Sequence, residues 1–97
     1  MTSYQRTIKP LAALASESRL QILEYVKRGV NNPVDIAKAV KLDLGTVRQH
    51  LRILSEAGII ERIPLVTQGG RLTVNFRVRH DAKDALLTLI QDVFKNA

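Results

Sequence analysis

Arg48, Gln49 and Arg52 are the side chains whose type and spacing most directly define a chemistry. At 100° per residue, Val47, Leu51 and Leu54 fall in one narrow sector of a helix, and Gly45, Arg48, Gln49 and Arg52 fall on the opposite side. The apolar sector needs a core, so the basic and amide-bearing stripe faces solvent or a partner. A guanidinium can pair bidentately with guanine and a carboxamide with adenine, and a major groove about 12 Å wide admits the helix that carries them. Gly45 omits a side chain where such a helix would approach a duplex closely. Thr46, in the first turn, could meet a phosphate or a thymine methyl. Taken alone, the same stripe reads as a solvated face with Arg52 paired to Glu56 one turn on. The elements around it decide between the two. His50 lies between core positions and is expected to be packed and hydrogen-bonded.

Asp43 is the expected N-cap of the helix that bears this stripe, Leu44 to Ala57, and Gly58 closes it. Upstream, Asn32, Pro33 and Asp35 occupy the N-cap, first and third positions of a shorter helix that ends near Val40. Only Lys41 to Asp43 remains between the two, the short connection a helix-turn-helix requires. Before that, Ser16 caps a helix from Glu17 to Arg28 with Leu20, Leu23 and Val26 on one face, and Gly29 stops it. Ile8, Leu11, Ala12 and Ala15 predict a first helix from near Ser3 to Leu14, with a kink or a later start at Pro10.

After Gly58 the period changes to two. Ile59 to Val66 carries Pro64 and suits an edge strand. Gln68, Gly69 and Gly70 make a turn, and Leu72 to Arg79 alternates: Leu72, Val74, Phe76 and Val78 face one way, Thr73, Asn75, Arg77 and Arg79 the other. This hairpin, residues 59–79, is a wing. Arg71 beside its turn is positioned to meet a groove or a phosphate, and Arg77 and Arg79 stay open between solvent and DNA. Asp81 is expected to cap a last helix in which Leu86, Leu89, Ile90, Val93 and Phe94 form a stripe. A domain this small covers such a stripe only partly, so these residues, with Ile8 and Leu11, are the expected homodimer interface. The fold class is mainly α with a β-hairpin wing (α+β), a winged helix-turn-helix of about five helices. It forms one domain, 1–97, with terminal helices 1–15 and 81–97 for dimerisation.

Composition narrows the partners. Fifteen Lys and Arg against nine Asp and Glu give a net charge of +6, which fits a polyanion. The excess is greatest in residues 41–79, with seven basic and three acidic side chains, and vanishes in 80–97, with two and three. The absence of cysteine excludes disulfides, thiolate metal sites and a cysteine nucleophile. Met1 to Lys9 has no apolar signal core and no apolar run approaches the roughly 20 residues a bilayer requires, so a cytoplasmic protein without membrane contact is expected. With two histidines, no glycine-rich phosphate loop and no carboxylate pair outside caps and ion pairs, the sequence specifies neither an enzyme nor a cofactor.

ALASESRLQIL, Ala13 to Leu23, followed by DIAKAVKLDLGTVRQHLRILSEAGIIER, Asp35 to Arg62, resembles the arsenical-resistance repressor (ArsR) family of winged-helix regulators. The strongest stretch is Thr46 to Ile60. The resemblance implies a dimer held by the first and last helices, the fourth helix in the major groove and the hairpin on the backbone or minor groove. Many members of that family sense metals, commonly through cysteines at the start of the third helix, where this chain has Val30, Asn31, Asn32 and Pro33. A second family site uses carboxylates and histidines on the last helix. His80, Asp81 and Asp84 lie near its start, but Gln91, Asp92 and Phe94 stand where a histidine pair is needed. No metal is therefore expected, and no small-molecule effector is specified.

Two readings follow. One is a homodimeric regulator of double-stranded DNA with a roughly palindromic operator, its half-sites about 34 to 36 Å apart. The other is a winged-helix protein-interaction or architectural chromatin module that applies the same basic face to an acidic partner. Arg48, Gln49 and Arg52 favour the first, because a protein-binding face is more often apolar or aromatic.

Overall fold

The computed structural model describes the backbone of residues 3–95 and the side chains of residues 8–95. Five helices and a hairpin follow in the order α1 (Ser3–Leu14), α2 (Glu17–Lys27), α3 (Pro33–Val40), α4 (Leu44–Glu56), β1 (Ile60–Val66), β2 (Leu72–Val78) and α5 (Ala82–Phe94). This is the winged helix-turn-helix arrangement the patterning predicts.

Local chemistry fixes most of the boundaries. Ser16 Oγ accepts from the Arg19 N–H at 3.3 Å, Asn32 Oδ1 from the Asp35 N–H at 2.9 Å, and Asp43 Oδ2 from the Thr46 N–H at 3.0 Å. Each satisfies a donor that the first turn of a helix cannot satisfy itself. Between α3 and α4, Lys41 turns the chain in the left-handed region at φ 61°, a conformation that costs a residue with a Cβ roughly 1–2 kcal/mol. The Leu42 N–H then closes on the Ala37 carbonyl at 3.2 Å. At the far end of α4, Gly58 adopts φ 77° and the Ile59 N–H reaches the Leu54 carbonyl at 3.0 Å, so the chain leaves the helix directly into β1.

Ile22, Ile36, Val47, Leu51, Leu54 and Ile60 are 0 to 1% exposed and form the centre of the core. Burial of each side chain of this size contributes about 1.5–3 kcal/mol. Phe76 extends the core into the wing, and its N–H donates to the Asn31 carbonyl at 2.9 Å, which ties β2 to the loop before α3. The hairpin is antiparallel, with Ile60 opposite Val78, Arg62 opposite Phe76 and Val66 opposite Leu72. The wing is thus anchored at its base and projects at its tip.

Two expectations need correction, the inward face of Leu20 and the Asp81 cap. Leu20 is 50% exposed, and the buried face of α2 is Ile22 and Val26 with Leu23 beside them. Leu20 lies 200° round the helix from Ile22, so only one of the two can face inward. Leu72 shares the face of Val74, Phe76 and Val78 as expected, and at the wing tip it is 68% exposed. The first helix spans Ser3–Leu14 as expected and runs through Pro10. Asp81 makes no side-chain cap for α5, because both its oxygens accept from Arg79, Nε and Nη2 each at 3.1 Å.

α5 packs on α1. Only Ala82 of this helix is buried, and Leu87, Val93 and Phe94 are 48, 42 and 68% exposed. Ile8 and Leu11 on α1 are also exposed, while Leu86, Leu89 and Ile90 are half-buried. Among the described residues no helix is long and apolar enough to cross a membrane.

Candidate nucleic-acid interface

The α4 stripe stands where the helical wheel places it: Gly45, Arg48, Gln49 and Arg52 are exposed while Val47, Leu51 and Leu54 are buried. Gly45 has a second reason for being glycine, since a Cβ there would meet the capping Asp43 Oδ2 at 3.3 Å. Thr46 is more committed than its residue type implied, because its hydroxyl donates to Asp43 Oδ1 at 2.6 Å. That bond, with the Thr46 N–H, holds the Asp43 carboxyl below its usual range. Arg52 forms no ion pair with Glu56, so the simple solvated-pair reading of this face is not realised.

The described arginines divide into two sets. Arg28 pairs with Glu24 at 3.1 Å, Arg77 with Glu61 at 2.7 Å across the hairpin, and Arg79 with Asp81. Arg19 donates to the Ala13 carbonyl from Nε at 2.7 Å, to the Ala12 carbonyl from Nη2 and to His50 Nδ1 from Nη1. The side chains of Arg48, Arg52, Arg62 and Arg71 engage no described residue by hydrogen bond or ion pair, and all four line one groove of about 950 Å³ between α4, the start of α3 and the wing. Glu56 is the one carboxylate in its lining. Arg71, at the turn, is held through its backbone alone: its N–H donates to Thr67 Oγ1 at 3.1 Å and its carbonyl accepts from the Thr67 N–H at 2.9 Å. Arg77 and Arg79, left open by the sequence, are neutralised on the wing.

Arg62 is the side chain that reading the sequence missed. It shares the inner face of the hairpin with Ile60, as their common parity in β1 could have indicated. His50 behaves as expected: it is half-buried, and because a guanidinium only donates, its Nδ1 accepts from Arg19. Burial, reinforced by the Arg19 charge, lowers its pKa below the usual histidine value.

At two positions that correspond to the resembled family's metal sites, the side chains are engaged within the chain. Asn32 is occupied as a cap, with Nδ2 donating to Asp35 at 2.6 Å, and both Asp81 oxygens belong to Arg79. Among the described residues no group of three or more His, Cys, Asp or Glu side chains is placed to hold a metal ion.

Comparison with known proteins agrees with this architecture. Residues 16–62 match the family model described as bacterial regulatory protein, arsR family. Comparison with curated proteins finds no match. Among solved structures, an ArsR-like transcriptional regulator from Rhodococcus sp. RHA1 superposes with a TM-score of 0.79 at 19% identity, covering 98% of this chain and 85% of that one. The homodimeric winged helix-turn-helix DNA-binding domain of a possible ArsR-family regulator from Mycobacterium bovis gives a TM-score of 0.71 at 26% identity, over 95 and 81% of the two chains. A mutant MarR from E. coli, solved with operator DNA, gives 0.60 at 20% identity over 98 and 74%. The matched family and the first two of these structures are regulators of transcription, not enzymes. The chain has the winged helix-turn-helix fold, is similar to the arsR family of bacterial regulatory proteins over residues 16–62, and carries no cysteine.

Proposed function

We propose that this protein binds double-stranded DNA as a homodimer and regulates transcription, with α4 in the major groove and the wing on the backbone or minor groove. The observation that carries the reading is the unpaired, exposed row of Arg48, Gln49 and Arg52 on a helix whose other side is fully buried. A rigid helix presents its donors at fixed spacing, which is what base-edge recognition needs. Arg48 and Gln49 read bases, Arg52 and Arg71 hold the backbone, and Gly45 and Thr46 allow the first turn of α4 to approach. The homodimeric DNA-binding domain from M. bovis and the MarR complex with operator DNA support both halves of the proposal.

The dimer brings together Leu86, Leu89, Ile90, Val93 and Phe94 of α5 with Ile8 and Leu11 of α1. In the single chain these side chains remain half-buried or exposed, and a second copy supplies the missing cover. Two symmetric copies then present two α4 helices to two half-sites.

An electrophoretic shift with competitor DNA, followed by binding of Arg48→Ala and Arg71→Ala to a selected site and a scrambled duplex, tests the assignment. Arg48→Ala is expected to cost about 1–3 kcal/mol on the selected site and to relax discrimination at one base pair. Arg71→Ala is expected to weaken both duplexes alike and to lower the salt slope by about 1 per subunit. Unchanged affinity and specificity in Arg48→Ala would remove α4 from the groove and make an acidic protein the leading partner.

A further inference from the structure

We infer that the groove between α4 and the wing is a track for one sugar-phosphate strand, and that Arg62 is a phosphate-binding residue within it. The inference rests on the DNA-binding reading above and assigns a residue and a path that the recognition helix alone does not supply.

The two faces of the hairpin make the case. On the outer face, Arg77 stands opposite Glu61 and the pair closes at 2.7 Å, so that face is locally neutral. On the inner face, Arg62 stands opposite Phe76 in line with Ile60 and Val78, a row otherwise apolar near the base of the wing. Arg62 is exposed, so its guanidinium stays solvated and available to a partner. It forms no ion pair among the described residues and lines the groove.

Three further guanidiniums border the same space: Arg48 and Arg52 one turn apart on α4, and Arg71 at the wing tip. Four cations against one carboxylate repel one another, and each raises the affinity of the others for a single extended anion. Guanidinium groups bind phosphate oxygens through a planar fork of donors. The groove also has an apolar side, built from Val74, Leu72 and Val34, against which a deoxyribose can lie. A polyanion with an apolar face at regular intervals matches both surfaces, and a nucleic-acid backbone has that chemistry.

The test measures binding of the full chain to a mixed-sequence duplex of roughly 30 base pairs at salt concentrations between 50 and 200 mM. Each lost phosphate contact lowers the slope of log affinity against log salt by about 0.9. With one contact per subunit, the affinity deficit of Arg62→Ala relative to the unsubstituted protein should shrink about 12-fold across that range. Arg62→Lys should restore most of the slope, and Arg77→Ala should leave it unchanged. An unchanged slope in Arg62→Ala, with the unsubstituted protein binding normally, overturns the track and leaves the DNA-binding reading intact. Absence of binding by the unsubstituted protein overturns both. A third arm adds inorganic pyrophosphate at matched ionic strength. Displacement of DNA beyond the ionic-strength effect would mark a small-anion site and overturn the strand track.

Discussion

The helix-turn-helix and the terminal helices are both built from amphipathic segments, yet they finish their surfaces in opposite ways. In α2, α3 and α4 the apolar faces converge on Ile22, Ile36, Val47, Leu51 and Leu54, all at 0 to 1% exposure, and each helix has a side-chain cap. In α5 only Ala82 is buried, Asp81 provides no cap, and Phe94 remains 68% exposed. The first region is closed within one chain. The second leaves an apolar stripe uncovered, and in the proposed homodimer a symmetric second copy covers it.

The sharpest way to break that comparison is to remove apolar groups from each region. Leu54→Ala should cost about 2–5 kcal/mol, with an unfolding temperature lowered at every protein concentration. Leu89→Asp with Val93→Asp should instead dissociate the dimer in sedimentation and abolish the concentration dependence of unfolding while leaving the helix-turn-helix folded. A doubly substituted protein that still sediments as a dimer would rule out the α5 interface.

Smaller effects sharpen the same contrast. Asn32→Ala removes a cap from the closed region and should cost about 0.5–2 kcal/mol in denaturant unfolding, with the sedimentation coefficient unchanged. Ser55 Oγ is buried without a partner on the groove side of α4, so Ser55→Ala should leave stability unchanged or raise it by about 1 kcal/mol. A clear loss of stability would mean that the hydroxyl has an ordered partner.

Acid should loosen the junction between the two regions. His50 on α4 accepts from Arg19, which also holds the last carbonyls of α1. Its folded pKa lies below the unfolded value, so its contribution is complete above about pH 6.5 and is lost as pH falls through the folded value. The Asp43 shift has the same sign at lower pH. Unfolding temperatures measured from pH 7.5 to about 5 should fall for the unsubstituted protein and change less in His50→Asn. Equal pH dependence in the two would sever His50 from the junction.

What was legible in the sequence was what local chemistry decides. Asn32-Pro33 and Asp43 announce helix starts because a cap acts over three residues, and the stripe on α4 follows from helical geometry alone. Asp81 looked equally like a cap, but Arg79 competes for both of its oxygens, and sequence type cannot rank two such partners. Leu20, Ile22 and Leu23 offer overlapping apolar stripes, and only the position of α4 decides that Ile22 wins. The groove depended on the least local information. Arg62 and Arg77 differ in role because one faces Phe76 across the hairpin and the other faces Glu61, a distinction set by strand register and by partners up to 16 residues away.

Selection from random duplexes tests the central claim most directly, since it asks whether two copies of α4 read DNA together. The recovered site should be pseudo-palindromic, with half-site centres about one helical turn, or roughly 10 base pairs, apart. Base preference in each half-site should be lost in Arg48→Ala. A selection that enriches no sequence, or one that yields a single site without dyad symmetry, would contradict the account.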